Sequence, residues 1–279
     1  MYDPVPPATM DMINSTAVND RVRKSRWPAV LDLAQSASGL FLALFMWAHM
    51  FLVSSILLGK DAMYAVTRFF EGFYFFGRSY PAIVGFVVIV VIVVFIAHAG
   101  LALRKFPANY RQYKTFLGHQ QMMRHEDTTL WFVQVFTGFA MFFLASIHLY
   151  TMLSNPGEIG PYASSDRVWS GMMWPLYLLL LLAVEFHGGI GLYRLAAKWG
   201  WLQGHDADAT RRKLKLAKWV LTVFFLILGL LTLAAYIKIG IEHRDRAGER
   251  YVPTVSSTCS PVRPTTGIDD LTSDTRMLS

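Results

Sequence analysis

Five apolar stretches, at positions 31–58, 81–106, 128–153, 174–199 and 214–241, leave this chain few ways to fold. Each reaches the roughly 20 residues that a helix needs to cross a hydrocarbon core about 30 Å thick. In lipid an isolated segment must satisfy its own backbone, and of the regular structures only the helix does so. Pro81 and Pro175 fall near the first turn of their stretches, where a missing N–H costs little. Only 16% of the 279 residues are charged, against about a quarter in soluble domains. The expected fold is therefore all-α, an integral membrane bundle of five transmembrane helices.

Polar segments flank that bundle. Residues 1–26 end in the basic run "RVRKSR" and hold no apolar stretch, so they read as a polar N-terminal segment rather than a cleavable signal peptide. Residues 27–243 form the membrane domain, and residues 244–279, rich in Ser, Thr, Pro and charge, read as a disordered tail.

Lysine and arginine set the expected orientation. Segments 21–26, 104–127 and 198–218 carry four, five and six of them, against three and one in 59–80 and 154–170. By the positive-inside rule the N-terminus is cytoplasmic and the tail lies outside. This distribution accounts for the net charge of +7 without a nucleic-acid partner. The single cysteine, Cys259, excludes a disulfide framework, an iron–sulfur cluster held by this chain alone, and a haem attached through C-x-x-C-H.

Histidines carry the chemistry. Of eight, His119, His125, His205 and His243 fall in polar loops or at a helix end and read as surface residues. His49, His98, His148 and His187 lie one in each of the first four spans. A lone imidazole in a span is commonly a buried hydrogen-bonding residue; four on four different helices strain that reading. Depth pairs them. His49 and His148 lie 18 and 20 residues past the cytoplasmic starts of their spans, about 27–30 Å at 1.5 Å per residue. His98 and His187 lie 17 and 13 residues past the outer starts of theirs, toward the inner face. One metal ion needs its ligands at one depth, whereas two stacked bis-histidine haems fit this layout. "WAHM", "IAHAG" and "EFHGG" set Ala or Gly beside three of the histidines, leaving room for a flat macrocycle.

Polar residues on the same faces complete the pattern. Lys198 lies 11 residues after His187, about 20° past three full turns and so on the same face. Gln35, 14 residues before His49, lies within about 40° of that histidine's face. With Ser36 these are candidate contacts for haem propionates, although Lys198 also reads as a snorkelling interfacial lysine. Glu185, the only acidic residue in the five span cores, lies about 200° around the helix from His187. An acid at that depth is a functional candidate, with a structural hydrogen bond as the plainer reading. Glu71 sits in "RFFEGFYFFG", where it could take protons at a quinone site or simply be solvated beside an aromatic belt.

Taken together, the chain from "KSRWPAVLDLAQSASGLFLALFMWAHMF" through "RKFPANYRQY", "RHEDTTLWFVQVFTGFAMFFLASIHLY" and "MWPLYLLLLLAVEFHGGIGLYRLAAKWGW" to "LGLLTLAAYIKIG" resembles a known family. It is similar to the dihaem cytochrome b subunits of succinate:quinone oxidoreductases, in particular those of epsilonproteobacterial fumarate reductases with one large anchor. The likeness covers roughly residues 24–242. It implies two haems b, with His98 and His187 on the proximal one and His49 and His148 on the distal one. It matches Gln35, Ser36, Trp131 and Lys198 to propionate contacts of the proximal haem. Glu71 matches a glutamate at the menaquinol oxidation site, and Glu185 an intramembrane proton-conducting glutamate. It further implies a cytoplasmic flavoprotein carrying FAD, an iron–sulfur protein, and a dimer of the three-subunit complex in the lipid bilayer. The alternatives are the haem-b anchor of another quinone-linked respiratory enzyme, whose ligand spacings differ, and a non-haem transporter with structural histidines.

Overall fold

The computed structural model describes residues 25–105, 109–112, 114, 115, 118 and 126–253. Among these, every regular element is a helix. Five helices are long and apolar enough to cross a membrane: α1 (Trp27–Val53, prolonged by a 3-10 turn over Ser54–Leu58), α4 (Pro81–Leu103), α5 (Glu126–Ser154), α7 (Trp174–Trp199) and α8 (Ala207–His243). Short helices α2 (Lys60–Phe70), α3 (Phe73–Phe76) and α6 (Pro161–Val168) occupy the connections at one end.

The ends of these helices follow local chemistry. A proline stands in the first turn of α1, α4, α6 and α7, where its fixed φ suits the helix and no N–H is wanted. At the start of α8, Asp206 accepts from the N–H groups of Asp208 and Ala209 at 2.9 and 3.0 Å. This cap starts the helix at Ala207, seven residues before the apolar stretch at 214. Gly200, at φ +66°, ends α7 in the left-handed region.

Four spans form a ring. α1 packs on α4, α4 on α5, α5 on α7 and α7 on α1, while α8 lies along α7 and touches α1. The buried residues of α8 are Lys218, Thr222, Phe225, Gly229, Thr232, Tyr236, Gly240 and His243. They are spaced by three and four, a seam of left-handed packing. Small residues bring backbones close there, since lipid offers no hydrophobic drive for helix association. A Cβ on Gly240 would stand 2.7 Å from the Ser165 carbonyl oxygen of α6. Thr232 donates to Ser54 Oγ at 2.8 Å and the Tyr236 hydroxyl to the Val53 carbonyl at 3.2 Å, tying α8 to the far end of α1.

Residues 244–253, which composition assigns to the disordered tail, have placed contacts. Arg244–Arg246 form a 3-10 turn, the Gly248 N–H donates to Asp166 Oδ2 at 3.0 Å, and Tyr251 donates to Asp61 at 2.7 Å. His243, read as a surface residue, is 2% exposed. It bonds Asp166 Oδ1 at 2.9 Å and stacks on Tyr162 at 4.0 Å. Sequence patterning missed this because α6 and the chain past α8 cover the helix end from outside its own sequence. Residues 1–24 and 254–279, including Cys259, lie outside the described residues, as do His119 and His125.

Candidate functional site

The ring brings the four span histidines together in two pairs. His49 of α1 and His148 of α5 face each other with ring centroids 6.3 Å apart. His98 of α4 and His187 of α7 do so at 6.5 Å. Each pair joins helices that stand diagonally across the ring. An ion between two imidazoles, at metal–nitrogen distances of about 2.0–2.1 Å and about 1.1 Å more to each ring centre, sets the centroids about 6.3 Å apart. Both pairs match that spacing. Among the described residues no three His, Cys, Asp or Glu side chains gather as a metal cage. The pairs therefore suit an ion whose other donors come from a planar macrocycle, as in bis-histidine haem.

The pair near Lys105 and Lys198 is the more fully held. His187 Nδ1 bonds the Gln134 carbonyl at 2.9 Å. His98 Nδ1 lies 3.1 Å from Ser38 Oγ, which itself donates to the Gln35 carbonyl at 3.1 Å. With Nδ1 occupied, Nε2 of each ring is the nitrogen left to ligate, and the ring orientation is fixed. Gln134 is doubly used, since its side chain also accepts from Arg194 at 2.8 Å. At the other pair His49 stacks on Phe45 at 6.0 Å and His148 meets Tyr177 edge-on at 5.5 Å.

Two glycines make room for the better-held rings. A Cβ on Gly39 would stand 2.8 Å from His98 Cε1, and one on Gly138 would stand 2.8 Å from His187 Cε1. Gly39 lies ten residues before His49 and Gly138 ten before His148. So α1 and α5 each carry a histidine for one pair and, about 15 Å back along the axis, the glycine that admits a ring of the other. The segments "GLFLALFMWAH" and "GFAMFFLASIH" carry that signal in sequence, although spacing within single spans does not expose it.

Of the expected propionate contacts, Ser36 and Lys198 meet, with Lys198 Nζ 3.3 Å from Ser36 Oγ. Gln35 Oε1 is buried and makes no hydrogen bond among the described residues, a polar atom suited to a further ligand. Trp131 packs its ring on Phe132 at 5.3 Å. Sequence reasoning missed Asp32, whose carboxylate binds Lys105 Nζ at 2.5 Å and also Lys198.

Glu185, on α7, is 1% exposed. The indole of Trp47 is its polar neighbour, and Glu185 Oε1 is buried with no hydrogen-bond partner among the described residues. Glu71 caps the end of α2 and is 9% exposed rather than solvated. The Tyr80 N–H donates to its carbonyl at 2.9 Å, closing the loop around α3. A cleft of about 430 Å³ opens beside it, lined by Phe76, Tyr80, Ala82, Ile83 and Phe86. Ile83 and Phe76 also flank Gly72, the residue after Glu71.

Residues 109–229 match the family described as the succinate dehydrogenase/fumarate reductase transmembrane subunit. The chain is 56% identical over 230 residues to the fumarate reductase cytochrome b subunit of Wolinella succinogenes, covering 82% of this chain and 90% of that protein. It is 57% identical over 224 residues to the subunit of the same description from Helicobacter pylori strain J99, covering 80% and 86%. With five spans, two facing histidine pairs and identity of this order over most of both chains, the protein belongs to the fumarate reductase cytochrome b subunits, the membrane anchors of that enzyme complex.

Proposed function

We propose that this chain holds two b-type haems, a distal one between His49 and His148 and a proximal one between His98 and His187, and that it oxidises menaquinol beside Glu71. The observation that carries this reading is the pair of imidazole separations, 6.3 and 6.5 Å, each matched to one iron. The haems, when bound, supply one-electron carriage between a quinol at one membrane face and an iron–sulfur partner at the other.

The chain's own residues do the rest. Gln134 and Ser38 orient the proximal imidazoles through Nδ1, and Gln35, Ser36, Trp131 and Lys198 take the propionates of that haem. Menaquinol enters by the apolar cleft of Phe76, Tyr80 and Phe86; its two hydroxyl protons leave one at a time through the Glu71 carboxylate to the outer water, and its two electrons would be taken by the haems in turn. Glu185, buried and with Oε1 unpaired among the described residues, relays protons across the membrane alongside the electrons. The charge rule puts the Lys105 and Lys198 end in the cytoplasm and the Glu71 loop outside the inner membrane, with the N-terminus in and the C-terminus out. There the basic loops dock an iron–sulfur subunit, itself joined to a flavoprotein that carries FAD and reduces fumarate. The relatives' description as fumarate reductase subunits supports those partners, and the assembly is a dimer of heterotrimers.

A pyridine haemochrome assay on the purified complex tests the reading. Two haems b per copy of this chain are expected; one or none refutes it.

A further inference from the structure

Asp32 lies where the helices of the proximal pair converge, apart from the histidine pairs, Glu71 and Glu185. It stands on the second turn of α1, below Gln35, Ser36, Ser38 and Gly39, the residues nearest His98 and Lys198. Its two oxygens take two cations. Oδ1 binds Lys105, just past the end of α4, which carries His98, and Oδ2 binds Lys198 of α7, which carries His187. Lys198 is shared between Asp32 and Ser36. Side chains here are part exposed, 48% for Lys105, 39% for Lys198 and 29% for Asp32. Ion pairs that open to water add little stability, so a structural staple is a poor account of the cluster. What a fixed carboxylate does do is halve the positive charge of two lysines at one end of a low-dielectric site.

Resting on the two-haem reading, we propose that Asp32 is a positioning and charge-balancing residue for the proximal haem. It holds Lys198 beside Ser36 for a propionate and offsets the Lys105 charge, and so keeps that haem's midpoint potential low enough to reduce the iron–sulfur partner. Reduction puts one negative charge on the iron, so uncompensated lysines favour the reduced form and raise the midpoint. The distal haem, about ten residues further along α1 and so about 15 Å away, feels this much less.

The test is a spectroscopic redox titration of the purified assembled complex, with the proximal haem identified as the one perturbed by Gly39→Ala. Asp32→Asn is expected to keep both haems. At fixed ambient potential the proximal reduced-to-oxidised ratio should rise about three- to tenfold, or roughly 30–59 mV by the one-electron relation of 59 mV per tenfold. The distal step should stay in place. Asp32→Glu should restore the wild-type midpoint, and the double variant Asp32→Asn/Lys105→Gln, with the charge rebalanced, should return toward it. An unmoved proximal midpoint, or equal shifts of both haems, overturns the inference. Should Asp32→Asn fail to assemble, Lys105→Gln alone decides: a lower proximal midpoint supports the inference and an unchanged one overturns it. A wild-type complex with fewer than two haems per chain would instead refute the two-haem reading itself.

Discussion

Adding one methyl group at Gly39 tests the proximal pair without touching a ligand. An alanine Cβ there would stand 2.8 Å from His98 Cε1, whereas ordinary contact begins near 3.4 Å, so the ring must retreat by about 0.6 Å. Metal–ligand distances tolerate only about 0.2 Å, so the retreat cannot be absorbed in the iron–nitrogen bond. Either α1 and α4 move apart or His98 tilts against its Ser38 contact. Overpacking of this kind costs about 1–3 kcal/mol. At 1.4 kcal/mol per tenfold, that weakens the proximal haem about five- to 150-fold. Gly138→Ala, 2.8 Å from His187 Cε1, should do the same. Gly100→Ala, two residues past His98 with nothing within 4 Å, is the control. Haem content per chain, with the low-spin electron paramagnetic resonance signals of the two sites, reads the outcome. The expected result is a lost or altered proximal signal with the distal one intact in both α1 and α5 variants. A Gly39→Ala complex with two unaltered low-spin signals would show that Gly39 does not admit the His98 ring, and the pairing geometry would fall with it.

Three further expectations follow from the same geometry. Glu71→Gln should lower menaquinol-linked fumarate reduction at least about a hundredfold, the usual loss for a removed proton acceptor; both haems and activity with an artificial donor should persist, and normal quinol turnover refutes the role. Glu185→Gln should leave both haems bound but slow quinol:fumarate turnover in sealed vesicles, because an uncompensated charge works against about 2.3 kcal/mol per 100 mV; an unchanged rate under an opposing potential refutes the relay. Asp166→Ala should unpair buried His243 and release the Gly248 N–H at a cost of about 1–3 kcal/mol. Faster proteolysis of the segment after residue 243 would report it, and unchanged cleavage would refute the clasp.

The five spans were legible because a bilayer demands nearly the same thing of every crossing segment, about 20 apolar residues without breaks. Their ends were less so. Hydropathy sees only the apolar part of α8, while the Asp206 cap carries the helix seven residues into a charged stretch. The histidine pairing was legible from depth alone, since rise per residue is fixed and antiparallel spans share a vertical scale. What sits beside the rings was not. Ser38, the Gln134 carbonyl, the Asp32 cluster and the cover over His243 are neighbours across helices, and no periodicity within one helix encodes them. A backbone carbonyl such as that of Gln134 leaves no trace in residue type at all.

The diagonal placement of the pairs explains why site and fold are hard to separate here. Adjacent helices of the ring can pack through small and apolar side chains. Helices across a diagonal, α1 with α5 and α4 with α7, meet chiefly through imidazoles held some 6.3–6.5 Å apart at their centres. On the two-haem reading, ligation would close each diagonal once, at two heights about 15 Å apart along α1 and α5. Two such crossed ties at different heights would fix both the register and the tilt of four helices, which lipid packing alone determines weakly. Binding free energy at such a site is also assembly free energy, as with structural metals. Replacing His49 or His98 by Ala removes a tie as well as a ligand, so the expected result is a bundle that loses register, not merely a complex short of one haem.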